Sequence, residues 1–143
     1  MKESASRRYK VLEHTADLAL EVYGRDLKEL FGNAAFALFD VVTDLSRVEE
    51  RVERTVRLRA FDLEQLLVNW LNELLYYHEV EQLLFKRFEV RGLESDNLEA
   101  VAYGESFREG RHIILTSPKA VTHHKIEVVE VPEGWRARVI IDL

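Results

Sequence analysis

The sequence predicts an α+β domain, a two-layer sandwich with two helices packed on one face of a largely antiparallel β-sheet. Three observations predict it. Two segments carry apolar residues at helical spacing, each behind an Asp with a Glu or Gln three residues on. Much of the remaining chain alternates apolar and polar residues with a period of two. No repeat and no Pro/Gly/Ser-rich linker divides the 143 residues. Residues 1–143 therefore read as one domain, with residues 1–8 as a flexible N-terminal tail. A chain of this length buries roughly 70% of its unfolded surface on folding.

The elements follow in order. Residues 9–23 read as two short strands, with Leu18, Leu20 and Val22 alternating with Ala19, Glu21 and Tyr23. Gly24 ends the second. Asp26 then caps a helix, with Glu29 at the third helical position, so that free amide groups of the first turn are satisfied. Leu27, Leu30, Phe31, Ala34, Ala35, Leu38 and Phe39 form its buried stripe. From Val52 the period changes to two: Val52, Val56, Leu58 and Ala60 face one way, and Glu53, Thr55, Arg57 and Arg59 the other.

Asp62 and Gln65 repeat the capping pattern ahead of a second helix that carries Leu63, Leu66, Leu67, Trp70, Leu71, Leu74 and Leu75 and runs to about Gln82. Phe88 and Val90 open a strand, Ser95-Asp96-Asn97 makes a turn, and Leu98 to Phe107 gives another strand. Glu109-Gly110 predicts a hairpin into a strand at His112–Leu115. Residues 121–131 and 135–142 pair around Pro132-Glu133-Gly134. The helices hide one face of the sheet, and the other is wet or covered by a partner.

Composition narrows the function. Twenty basic side chains against 26 acidic ones leave a formal charge of −6. That argues against non-specific nucleic-acid binding, which runs on phosphate neutralisation. A local basic patch survives at Lys2, Arg7, Arg8 and Lys10 against Glu3. With no Cys there is no disulfide, thiolate metal site or cysteine nucleophile. No apolar run approaches the roughly 20 residues of a membrane span, and no secretory leader opens the sequence. The expected setting is the cytoplasm, away from membranes. High charge with one Met is a weak thermophile signature.

Phosphate loops, zinc-protease helices, nucleophile elbows and EF-hand loops are absent. Three constellations remain. In His14-Thr15-Ala16-Asp17 the Asp either caps a turn or coordinates a hard cation. At the C-terminus, Asp142 and the Leu143 carboxylate offer two anionic groups side by side. Were Asp17 close to them, three carboxylates would converge, and a divalent cation would relieve their repulsion. All donors would be oxygens, favouring Ca²⁺ or Mg²⁺ over zinc. The simpler alternative is a frayed, solvated terminus.

The third constellation is Ser117 to Lys125. Lys119 reads as a surface cation or as a contact for phosphate or an acidic partner. His123 and His124 are adjacent, so on a strand they point to opposite faces and do not readily share an ion with His14. On the second helix, Asn69, Asn72 and Glu73 form a polar stripe, read as a solvated face or as part of a partner surface.

Taken together, His14-Thr15-Ala16-Asp17, Phe31-Gly32-Asn33-Ala34-Ala35, the run from Leu66 to Leu75, Lys119-Ala120-Val121-Thr122-His123-His124 and Ile141-Asp142-Leu143 resemble the archease family. The likeness covers nearly the whole chain, in order. His123 departs from it, standing where the family's K-A-V-T-Y-H pattern carries Tyr. The resemblance implies a non-catalytic protein cofactor of RtcB-type RNA ligases in tRNA splicing. Such a cofactor promotes guanylylation of the ligase histidine and multiple turnover, and broadens the choice of nucleoside triphosphate.

The resemblance also implies a metal site at Asp17, Asp142 and Leu143, holding Ca²⁺ first and Mg²⁺ or Mn²⁺ as alternatives, with Lys119 as a neighbouring functional cation. RNA would be met mainly through the partner ligase. Some members are linked to RNA methyltransferases as chaperones, which gives a second reading. A third, a metal-dependent phosphoesterase built on Asp17 and Asp142, predicts hydrolysis by the protein alone. Its sparse donor set counts against it.

Overall fold

Each predicted helix begins where its cap places it. The computed structural model describes residues 8–14 and 16–143. Of the expected N-terminal tail only Arg8 falls among them, and Thr15 lies outside them. Helix α1 spans Leu27–Val42, and Asp26 accepts the Glu29 amide at its start. The Glu29 carboxylate reaches back to the Arg25 amide at 2.8 Å. Helix α2 spans Leu63–Glu81 behind Asp62, which accepts the Gln65 amide, while the Gln65 side chain accepts from the Phe61 amide. It ends at Gln82, whose φ of 58° is left-handed.

The strands are β1 (Tyr9–His14), β2 (Asp17–Gly24), β3 (Val52–Arg59), β4 (Leu83–Glu94), β5 (Asn97–Ser106), β6 (Ala120–Val131) and β7 (Gly134–Asp142). All their pairings are antiparallel. The α+β class holds, but the strands divide between two sheets. One has the order β1-β2-β7-β6, the other β3-β5-β4. Helix α1 packs against β2 of the first and β4 of the second, whereas α2 lies chiefly against β6.

The core sits among these layers. Trp70, Phe31, Phe39 and Phe85 are fully buried, and the Trp70 Nε1–H donates to the Phe31 carbonyl at 3.0 Å. Phe39 and Phe85 meet edge to face at 5.5 Å, an arrangement that suits their quadrupoles. At Gly104 the β4 and β5 backbones come so close that a Cβ would overlap the Leu84 carbonyl. Gly134, at φ +140°, turns β6 into β7 where an added Cβ would strike the Gly24 carbonyl.

Two sequence expectations change. Strand β4 begins at Leu83 rather than Phe88, because Leu83, Leu84 and Phe85 form a fully buried run straight after the helix. His112–Leu115 is not a strand. The segment instead docks on the end of α1: the Leu115 amide donates to the Val42 carbonyl, and the Thr43 hydroxyl donates to the Ile113 carbonyl, both at 2.7 Å.

Candidate functional site

Strand register brings the two ends of the described chain together. In the β2–β7 pair, Asp17 stands directly opposite Asp142, and Leu18 opposite Ile141. Leu18 and Ile141 are fully buried, so alternation turns both aspartates outward, and both are exposed. Asp142 is also opposite Ala120 of β6, and the Lys119 amide donates to the Asp142 carbonyl at 2.7 Å. Asp17, Lys119 and Asp142 thus occupy neighbouring positions on three adjacent strands or their ends. Leu143 is half-buried and packs on the core.

Like charges directly opposite on adjacent strands repel. Neither aspartate has an ion-pair partner among the described residues, and no group of three or more His, Cys, Asp or Glu side chains is gathered to hold a metal there. Two exposed carboxylates facing each other across the β2–β7 pair offer oxygen donors only, the ligand type that suits a hard divalent cation better than zinc.

Helix α2 fixes this corner through a residue first read as solvated or partner-facing. The Asn72 side chain clamps β6 at both backbone groups of Val121. Its Nδ2 donates to the Val121 carbonyl at 2.9 Å, and its Oδ1 accepts the Val121 amide at 2.8 Å. β6 is an edge strand, and the side-chain amide supplies the partner that a further strand would. Lys119 lies two residues before the clamp. It lines a cleft of about 490 Å³ together with His78, Phe107 and Ile114. No carboxylate pairs with it among the described residues.

His123 and His124 are both exposed, on a stretch where β6 stops pairing with β7 between Thr122 and Glu127 and Lys125 turns left-handed at φ 53°. The expected opposite-facing strand geometry is interrupted there.

A buried ionic cluster at the end of β5 escaped the sequence. Glu105 and His112 are both buried. The Glu105 carboxylate accepts the Glu49 amide at 2.8 Å, His112 Nε2 at 3.0 Å and Arg111 Nε at 3.3 Å. Burial pushes this carboxyl up, but the Glu49, His112 and Arg111 contacts together outweigh it and hold the group below the ordinary carboxylate value. His112 Nδ1 accepts the Arg108 amide, so the ring proton sits on Nε2. This cluster ties down the loop that leads to Lys119. Its tip leaves Ile113 and Leu115 about two-thirds exposed, at 66% and 64%.

The model of the archease protein family matches residues 9–143. Protein archease of Methanosarcina acetivorans is 41% identical over 98% of this chain and 99% of its own length. The solution structure of Methanobacterium thermoautotrophicum protein 1598 superposes with a TM-score of 0.83 at 39% identity, covering 96% of this chain and 99% of that one. A Thermotoga maritima crystal structure, described as an archease and possible chaperone, shares the fold at a TM-score of 0.60 and 20% identity, over 94% and 96% of the two chains. No described helix is long and apolar enough to cross a membrane. The chain belongs to the archease family.

Proposed function

We propose that the chain is a non-catalytic activator of an RtcB-type RNA ligase in cytoplasmic tRNA splicing, promoting ligase guanylylation, repeated turnover and broader triphosphate use. Family membership supports the class of function. The observation that carries the reading is the register that sets Asp17 against Asp142 with Lys119 bonded to the latter's backbone.

Asp17, Asp142 and the Leu143 carboxylate would hold a divalent cation, with Ca²⁺ the best match to an all-oxygen set. Bound there, the cation would neutralise carboxylates that otherwise repel. Lys119 offers its ammonium to phosphate or to an acidic ligase surface, and Asn72 keeps the strand beside it in place. Phosphoryl transfer depends mainly on positioning and charge neutralisation. A surface that favours the competent ligase conformation raises guanylylation without performing chemistry.

The test is guanylylation of the ligase with a radiolabelled triphosphate, with and without this protein at substoichiometric amounts. The wild-type chain stimulates it, while Asp17→Ala, Asp142→Ala and Lys119→Ala lose stimulation and keep their fold by circular dichroism. Undiminished stimulation by both aspartate variants overturns the mechanism. The exposed Ile113 and Leu115 favour a second reading, a chaperone-like contact with an RNA methyltransferase. Suppressed aggregation of the methyltransferase that survives both aspartate substitutions, but not Ile113→Ser with Leu115→Ser, would support it.

A further inference from the structure

Away from the aspartate pair, a groove of about 580 Å³ runs between α1 and β4, and cations dominate its rim. Arg8, Lys28, Lys86 and Arg87 line it, against the two carboxylates Glu29 and Glu50. Both carboxylates are already engaged, Glu29 by Arg25 and Glu50 by Arg87. Among the described residues Arg8, Lys28 and Lys86 have no carboxylate within ion-pair distance. Arg8 stacks over the Phe36 ring at 4.2 Å, and Lys28 donates to the Arg91 carbonyl. A positive groove on a chain of net charge −6 is a local feature that the average conceals.

Two features of the backbone suit an occupant. Lys86 falls where β4 slips register against β5, between Phe85 and Arg87, and such bulges re-aim side chains beside binding sites. The side chain is half-buried there with no carboxylate to meet it. Gly32 sits in the interior of α1, where glycine weakens a helix, and a Cβ there would touch nothing within 4 Å. The missing side chain leaves the groove open. Phe36, with Arg8 over its ring, and Phe88, packed edge to face on Trp70, add apolar lining to it. Its volume exceeds what a bare inorganic anion needs and falls in the range of small-molecule sites.

We propose that this groove binds a phosphate-bearing nucleotide unit, with Arg8, Lys28 and Lys86 on the phosphate and the apolar lining against the base or sugar. Unpaired cations beside aromatic rings are the combination that holds single-stranded nucleic acid without sequence preference. The proposal stands apart from the ligase reading, because it needs only this chain.

The test is fluorescence anisotropy of 5′-labelled hexauridylate against the full chain at low salt. The expected dissociation constant is roughly 10–100 μM, the range of non-specific contacts. Lys28→Gln with Lys86→Gln should weaken it about tenfold and lower the slope of log K against log salt by about 1.4. Gly32→Gln, which fills the groove at constant charge, should weaken it comparably. Displacement by UMP assigns the site to free nucleotides as well, and no displacement assigns it to a strand; either supports the proposal. Absence of binding at 1 mM (about tenfold beyond that range), affinity unchanged from the parent in Gly32→Gln or in the double Lys variant, or equal displacement by a polyglutamate peptide overturns it.

Discussion

Replacing Asn72 by Ala removes both hydrogen bonds to Val121, at 2.9 and 2.8 Å, and leaves the edge of β6 unpartnered. Each bond contributes about 0.5–1.5 kcal/mol net, so the variant should lose about 1–3 kcal/mol. At about 2–4 °C per kcal/mol for a chain near this size, Tm should fall by roughly 2–12 °C. Asn72→Asp separates the two bonds. The carboxylate still accepts the Val121 amide but turns an oxygen on the Val121 carbonyl. Only the protonated acid restores a donor, so the folded-state pKa rises above the ordinary value of about 3.9. The restored stability is then fully present below the unfolded pKa and disappears as pH rises through the folded one. Urea denaturation of parent, Ala and Asp variants at pH 7 and pH 4 reads both effects. An Ala variant within about 0.5 kcal/mol of the parent, or an Asp variant with the parent's pH dependence, would refute the clamp.

Four further outcomes can be checked. Asp17→Asn or Asp142→Asn should raise stability by about 0.2–1 kcal/mol in a chelator, since each removes a like-charge pair. Ca²⁺ should raise the Tm of the parent and not that of Asp142→Asn, read by differential scanning fluorimetry. The depressed Glu105 pKa contributes stability that is present above the ordinary value of 4.5 and lost as pH falls through the folded value. Glu105→Gln should flatten that acid limb in a pH-dependent melt. Gly104→Ala forces a Cβ into the Leu84 carbonyl and should cost about 3 kcal/mol or more, seen as a collapse of soluble yield or of the urea midpoint.

What the sequence revealed followed the range of the interactions involved. Both helices were legible because caps and stripes are local: Asp26–Glu29 and Asp62–Gln65 lie within one turn. The β6–β7 hairpin was legible from Gly134. The division into two sheets was not, because which strand β3 joins depends on pairings with distant β5 that no nearby pattern encodes. Glu109-Gly110 predicts a hairpin into His112–Leu115 because a local turn signal carries nothing of the contact that Glu105 and His112 make across the loop. Asp17 and Asp142 could be named as acidic residues near the two ends, but their opposition is a matter of β2–β7 register. Asn72 could be named on its polar stripe, but an amide there looks the same whether it meets water or a strand edge.

The place of β7 between β2 and β6 has a consequence for biosynthesis. At roughly 5–20 residues per second, the ribosome delivers Gly134–Asp142 on the order of 5–20 s after Gly24 has emerged. Through that interval the β1–β2 hairpin waits with one seam unzipped, and Leu18, Leu20 and Val22 need shelter. Helix α1, next off the ribosome and packed on β2, is the nascent chain's own cover until the late strand slots home.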